Sequence, residues 1–588
     1  MESFPAEAGA RTPSLAEDPS LGLSQRSKLE ILGAVLLALF LGALDQTITG
    51  PALPTIVTQL GGNEYYNWVV TIYLLTSTIT VPFYGKLSDL YGRKPMLMIG
   101  VTIFLIGSAL SGLSQDMAQL LLFRGIQGMG AGALFPIALA VIGDLFTPQE
   151  RGKYQGLFGA VFGISFIVGP FLGGLLTDNV GWHWIFYVNI PIGIISLVVL
   201  ARLLPTVKRA DATRNLDFLG AGVFTVAITS LLIGLTNKQS GDWTEPAVGG
   251  LLLVAAVLGA AFVFIETRAK EPIIPIGMFR NRTYSASILA TFLVSFGFFG
   301  AIVFLPRWFQ FVNGSSATES GYQILPLLAG LIGSSIVSGI LVSRTGRYKA
   351  IILVGLGLMT AGLALMTQLR ADTPLPALWF WMFVAGVGIG PTLSVFTIVV
   401  QNAVPFSQLG VATSNLTFFR QIGGSIGLAI TGTLFGTRLL EEIPVQLTAA
   451  GVPPQAVAQF SGAGTGALDN LVGVGGAGGL GAQILALVPE ALRASVEPLI
   501  PTIVAGIHQA FSIAVSTAFQ VGVVTTILAF VAALAVREIP LRKTVGEAAP
   551  AAAPATSRSS APVGATATSG SSGTVSAPNR LSGSPSSD

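Results

Sequence analysis

Apolar stretches of about twenty residues recur along this chain, each long enough to cross the ~30 Å hydrocarbon core of a bilayer as a helix. Short polar or basic turns separate them. The pattern predicts fourteen spans, near residues 29–50, 66–84, 95–114, 117–141, 156–176, 183–203, 217–237, 246–265, 284–305, 321–341, 350–369, 376–400, 411–435 and 513–535. The fold class is therefore an all-α polytopic membrane protein. The first apolar stretch is too long for a signal peptide and lacks a small-residue cleavage site, so it reads as an uncleaved span. Residues 1–27 and 540–588 are rich in Ala, Ser, Pro and Gly, with few large apolar side chains, and are expected to be disordered. Residues 437–512 read as a long segment outside the membrane. It holds a Gly-rich stretch, Gly473 to Gly481, and a short amphipathic helix, Pro489 to Glu497, stopped by Pro498. It is either a cap over the outer mouth or a plain loop.

Composition sharpens this picture. Of 588 residues, 52% are hydrophobic and 10% charged, against roughly 25% charged in soluble domains. The few Lys and Arg are placed asymmetrically. With the N-terminus inside, 24 of the 31 lie in cytoplasmic segments, five lie outside and two, Arg124 and Arg420, lie within spans. That bias puts both termini in the cytoplasm of a bacterial cell, across its inner membrane, and favours an even number of spans. The net charge of +3 is a topology signal and implies no nucleic-acid partner. With no Cys and two widely separated histidines, His183 and His508, neither disulfides nor a metal site are expected.

An internal repeat appears in the turns. After the second span the chain reads Gly85-Lys-Leu-Ser-Asp89-Leu-Tyr-Gly92-Arg93-Lys94, and after the tenth, Gly339-Ile-Leu-Val-Ser343-Arg-Thr-Gly346-Arg347-Tyr-Lys349. The spacing fits two six-helix halves, residues 28–205 and 271–539, with two linker spans in 206–270 between them. Halves that pivot around a midplane site are how secondary transporters alternate access. Glycines allow the tight turn and close helix approach, Asp89 is placed to bind a helix end, and Arg93 and Lys94 to anchor at headgroups. A basic turn alone accounts for the cations but not for the Gly/Asp pattern. This turn resembles the signature loop of the major facilitator superfamily, from which the second copy departs by carrying Ser343 in place of the acid. A neighbouring turn with Asp144, Glu150 and Arg151 is placed to pair with it and lock an inner gate.

The fourth span reads Leu122-Phe-Arg124-Gly-Ile-Gln127-Gly-Met-Gly-Ala-Gly. An arginine among apolar residues costs ~3 kcal/mol or more to insert, so it implies a partner or a water-filled cavity. By helical rise, Arg124 lies ~10 Å below the outer surface and Asp45 of the first span ~6 Å below it. The two therefore fall near one level. An acid held ionised by a buried cation, and released when its surroundings change, suits proton coupling; a static structural pair is the plainer alternative. The fifth span carries Gly163, Gly169, Pro170, Gly173 and Gly174, which permit close packing and a kink. In this position they resemble the sequence that distinguishes antiporters from importers in the same superfamily. Gln127, Trp68, Asn189 and Arg420 are candidates for a substrate cavity.

The resemblance extends further. Leu44-Asp45-Gln46-Thr47 with Pro51-Ala-Leu-Pro54, Trp68, Trp182-His183-Trp184-Ile-Phe186 with Asn189-Ile-Pro191-Ile-Gly193, and Phe418-Phe-Arg420-Gln-Ile-Gly-Gly-Ser-Ile-Gly427 look like the fourteen-helix drug:proton antiporters of the EmrB/QacA type. The match covers about residues 29–435 and the last span. His183 departs from it, standing where arginine is usual. The resemblance implies the major facilitator fold, two six-helix bundles plus two central helices, and efflux of lipophilic compounds in exchange for protons. No lysine sits in a phosphate-binding loop, which disfavours pumping driven by ATP. No nucleophile–base or metal set is visible to suggest an enzyme, and no cofactor is implied. Asp45 is essentially the one deep carboxylate, which favours neutral or monocationic cargo; an endogenous lipid or metabolite is the alternative. The expected partners are the bilayer, protons and a small-molecule substrate, with the chain a monomer and no support for an envelope accessory protein.

Overall fold

A computed structural model of the chain describes residues 23–61, 65–205, 217–238, 241–454, 480–487 and 496–541, with 457 and 493 as isolated positions. The elements are α1 (Gln25–Leu60), α2 (Tyr66–Tyr91), α3 (Arg93–Gly112), α4 (Met117–Leu145), α5 (Pro148–Asn179), α6 (Trp184–Tyr187), α7 (Asn189–Leu203), α8 (Phe218–Asn237) and α9 (Leu251–Glu266). There follow α10 (Arg282–Phe311), α11 (Ala317–Gln323), α12 (Leu325–Thr345), α13 (Lys349–Met366), α14 (Leu375–Ala403), α15 (Leu409–Ala449), α16 (Leu480–Leu487) and α17 (Ile500–Leu534). The described residues contain no strand. Short π or 3-10 turns precede α9, α10, α15 and α17.

Thirteen helical stretches among the described residues are long and apolar enough to cross a membrane. The expected span at 411–435 lies in α15, which has the length but falls short in apolarity. Its first turns carry Thr413, Ser414, Asn415 and Thr417, all buried. They face neighbouring helices and not lipid, so the hydropathy of α15 reports an interior position. The expected span at 183–203 is broken at Val188 into α6 and α7. Pro191 has no N–H to give the carbonyl four residues earlier, and the break turns Asn189 toward the protein interior.

The helices pair in a repeated scheme. In the first half α3 packs on α4, α2 on α4, α1 on α5 and α1 on α7. In the second, α13 packs on α14, α12 on α14, α10 on α15 and α10 on α17. Across the halves, α5 meets α12 and α14 while α15 meets α2 and α4, so each half offers the other the same helices. Each has its own apolar core, one around Val35, Phe104, Leu134 and Ile142, the other around Phe304, Leu356, Ile398 and Phe511. The hairpin of α8 and α9 leans through α8 on α2 and α15.

Several boundaries differ from the sequence reading. Helix α1 already starts at Gln25, capped by Ser24, so 25–27 are helical; residues 1–22 and 542–588 lie outside the described residues. Residues 437–449 and 500–512, expected in the outer segment, belong to α15 and α17. Leu439, Ile443 and Leu447 on one join Ile503 and Ile507 on the other in the apolar core, and this seam carries the pair beyond the bilayer-length stretch. Most of the expected helix at 489–497 lies outside the described residues, as does Gly473 to Gly479. Gly481, at the end of the expected flexible stretch, is helical in α16.

Candidate functional site

Asp45, twenty residues into α1, is fully buried. Arg124 Nη1 on α4 lies 2.6 Å from its Oδ2. Gln127 Nε2, one turn along α4, donates to Oδ1 at 2.7 Å, and Asn189 Nδ2 at the start of α7 donates to the same oxygen at 3.2 Å. The carboxylate thus has three side-chain donors from two helices. Arg124 is held in turn: Nη1 donates to Gln127 Oε1 at 2.9 Å and Nε to the Val69 carbonyl at 3.3 Å. Its guanidinium lies over the Tyr73 ring at 4.4 Å and faces Phe186 at 5.6 Å. A pair so enclosed survives only because nearly every polar site is satisfied. Removing one member strands the other, at a cost of roughly 3–5 kcal/mol.

Gln127 and Asn189, expected on the wall of a substrate cavity, are fully buried and bonded to Asp45. The reason is local: Gln127 is one turn from Arg124 on the same face, and the break before α7 aims Asn189 inward. Sequence reading missed Ser108, which accepts from Asn189 at 3.1 Å and donates to the Phe186 carbonyl at 2.8 Å. It missed Tyr73 as well, and gave Phe186 no role beside Arg124. Nothing marks a lone Ser or Tyr in an apolar span as special, so their roles needed the tertiary contacts. Trp68 is half-buried and takes no part in this cluster. Arg420 lies in the other half, on α15.

The end of the bundle that carries the basic turns is latched. Asp89 on α2 accepts from the backbone N–H groups of Gly410 and Val411, at 3.1 and 2.8 Å, across the two halves. Those amides open α15, whose N-terminus has no side-chain cap of its own, and a carboxylate there is further favoured by the helix dipole. Arg93 bridges the acids, 2.6 Å from Asp89 and 2.9 Å from Asp144. It is largely enclosed in this cluster, its side chain 11% exposed, and is not the headgroup anchor expected from sequence. Lys94 donates to the Ala201 carbonyl at 2.7 Å. Gly85 packs against Gly410 and Ser414, and Gly92 takes a φ of 99°, which favours glycine.

Of the second acidic turn, Asp144 joins the latch through an ion pair. Glu150 closes a capping box with Thr147 at the start of α5. Arg151 donates to the carbonyls of Phe146 and Gly143 near the end of α4. The pairing expected of Glu150 gives way to helix-end chemistry, because Thr147-Pro-Gln-Glu150 is itself a complete capping sequence. A second crossing contact is polar but uncharged: Gln155 Nε2 donates to Gln401 Oε1 at 2.8 Å, and Gln401 Nε2 to the Leu139 carbonyl at 3.1 Å.

Helix α5 presents glycines to two neighbours. Gly152, Gly156, Gly159 and Gly163 face α12, where a side chain would collide with Gly339, Ile336, Ser335 or Ile332. Gly169 and Gly173 face α1 at Thr47 and Ile48, and Thr47 Oγ1 donates to the Ser165 carbonyl at 2.9 Å. Pro170 lies within the continuous helix, close to Gly321, and Gly174 is part-buried beside it. Helix α5 is therefore the close-packed link between the Asp45 helix and the second half.

Comparison with known proteins agrees with this architecture. The Major Facilitator Superfamily profile matches residues 35–428. The chain is 40% identical over 417 residues to the Multidrug transporter protein MdtP of Bacillus subtilis (strain 168), covering 70% of this chain and 76% of that protein. It is 37% identical over 512 residues to the uncharacterized MFS-type transporter Rv1877 of Mycobacterium tuberculosis (strain ATCC 25618 / H37Rv), covering 87% and 70%. The human organic anion transporter MFSD10 shares the fold, with a TM-score of 0.50 at 17% identity over 69% of this chain and 94% of that one. A profile that runs through both halves, over a helix pairing that repeats between them, identifies this multi-pass membrane protein as a member of the major facilitator superfamily.

Proposed function

We propose that this protein is a proton-coupled exporter of lipophilic, neutral or monocationic small molecules across a bacterial inner membrane, with the basic end and both termini in the cytoplasm. The observation that carries the reading is Asp45: a fully buried carboxylate held by Arg124, Gln127 and Asn189. In this arrangement both of its oxygens face donors, and neither is open to a proton. When helix movement admits water and draws Arg124 away, the same carboxylate loses its counter-charge and takes one up.

The latch supplies the alternation. In this state Asp89, Gly152 and Gln155 tie the halves at the basic end, so cargo leaves and protons enter from the opposite side. Releasing Asp89 from α15 opens the cytoplasmic end, where Asp45 gives up its proton and cargo enters from the cytoplasm or inner leaflet. Each proton crossing 100 mV delivers about 2.3 kcal/mol, enough for more than a tenfold gradient of cargo.

The test is export of fluorescent dyes from energised cells, comparing wild type with Asp45→Asn at matched expression, with and without a protonophore. Export by wild type that stops with the protonophore and is absent in Asp45→Asn supports the reading. Export that persists in Asp45→Asn removes Asp45 from the coupling. No export across a broad dye panel replaces foreign compounds with an endogenous lipid or metabolite as cargo.

A further inference from the structure

Arg420 lies eleven residues into α15, and the facing Thr291 lies nine residues into α10. At ~1.5 Å per residue both are about 15 Å from the basic end, near mid-membrane. Arg420 Nη2 is sealed from solvent and has no hydrogen-bond partner, and none of the ion pairs among the described residues includes this side chain. From Arg282 to Arg438 the sequence holds two acids, Glu319 and Asp372. Both lie toward the opposite end, one in α11 and one between α13 and α14. Asp45 is taken by Arg124. The second half therefore keeps a deep cation with no carboxylate of its own to answer it.

The guanidinium lines a cavity of about 10 Å³ between α10, α14 and α15, shared with Thr291, Ser295, Phe298 and Thr392. Thr291 is 2% exposed, yet its Oγ1 also lacks a partner. Ser295 and Thr392 donate to carbonyls of their own helices, which leaves their oxygens beside the cavity. Two residues with an unused donor, one of them charged, thus line a space sized for a single oxygen atom. A bare cation at this depth is costly, and water alone leaves its charge unanswered. A carboxylate oxygen supplies an acceptor to both donors and the missing charge, and an Arg fork suits a carboxylate.

We propose that Arg420 and Thr291 form an anion site that receives the carboxylate of a lipophilic cargo, either an organic anion or a zwitterion. The inference rests on the exporter reading and changes its cargo class. In this state the deep carboxylate is already bound by three donors, while the deep unpaired charge is positive.

The test uses the purified full-length protein and measures saturable thermal stabilisation by 1-naphthylacetate, by its uncharged analogue 1-naphthylacetamide, and by chloride. Wild type is expected to bind the carboxylate roughly tenfold or more tightly than the amide, the scale of a charge-assisted hydrogen bond. Arg420→Gln should abolish that preference, Arg420→Lys should keep part of it, and Thr291→Val should weaken it several-fold. Equal binding of acid and amide by wild type overturns the site. So does an unchanged preference in Arg420→Gln, or chloride stabilisation equal to that by the carboxylate. If Arg420→Gln does not fold, wild type, Arg420→Lys and Thr291→Val still decide the matter. Binding is measured without a gradient, so a failed dye export with intact Arg420-dependent binding removes the exporter reading alone.

Discussion

Gly152 on α5 and Gly339 on α12 face each other across the two halves so closely that a Cβ on either would strike the other's carbonyl oxygen. The repeat-related contact is Gly85 on α2 against Gly410 and Ser414 on α15. Four residues after Gly85 comes Asp89, which caps α15; four after Gly339 comes Ser343. The difference follows from the helix ends that receive them. Helix α5 caps its own N-terminus with Thr147 and Glu150, whereas α15 has no side-chain cap and takes one from the opposite half. One interface is thus held by packing, the other by packing and a charge.

Enlarging Gly152 should open the basic end. Gly152→Val forces the helices apart, at about 1–3 kcal/mol for an overpacked contact. The chain has no native cysteine, so Ser414→Cys, buried at the neighbouring interface, serves as a reporter. Its labelling by a membrane-impermeant maleimide in inverted vesicles should rise in Gly152→Val. Unchanged labelling would mean that this contact does not hold the latch.

The two acids of the basic turns should separate cleanly. Asp89→Asn removes a charge-assisted bond to two backbone amides and weakens the latch by about 1–3 kcal/mol, raising the same labelling. Glu150→Gln keeps the capping box, which accepts Gln at that position, and should leave labelling at the wild-type level. A rise in Glu150→Gln comparable to that in Asp89→Asn would place Glu150 in the latch after all.

The buried pair should show strong non-additivity. Asp45→Asn strands Arg124 and should destabilise the protein by roughly 3–5 kcal/mol, read from thermal unfolding in detergent. Pairing it with Arg124→Gln removes the stranded charge and should restore most of that loss, without restoring export. Recovery of export in the double variant would reduce the pair to a structural role.

The extension of α15 and α17 beyond the bilayer-length stretch should depend on its apolar seam and not on its charges. Arg438 pairs with Glu441 and Glu442 at 3.1 and 2.7 Å, but its side chain is 45% exposed, so Arg438→Ala should cost under about 1 kcal/mol. Leu447 is fully buried, and Leu447→Ala should cost about 2–5 kcal/mol in the same unfolding measurement.

Much of the site was legible because a bilayer penalises charge so heavily. An Asp and an Arg within apolar runs stand out at once, and helical rise alone brings Asp45 and Arg124 to similar depth. Tyr73, Ser108 and Phe186 were not legible, since such residues are ordinary in apolar helices and acquire a role only through the atoms beside them. Glu150 shows the opposite failure. Its place in a charged turn suggested a gate contact, but a local capping box, complete within four residues, claims it first.

The sequence by itself determined the spans, the basic asymmetry of the turns, the repeat of the glycine turn and the presence of two intramembrane arginines. All of these are written in local composition, which hydrocarbon filters residue by residue. Tertiary structure decided which arginine is paired. Arg124 finds Asp45 because α1, α4 and α7 converge on one point, while Arg420 faces α10 and α14, which carry hydroxyls and no acid at that depth. Pairing is a property of distance between helices far apart in the chain, and no local pattern encodes it.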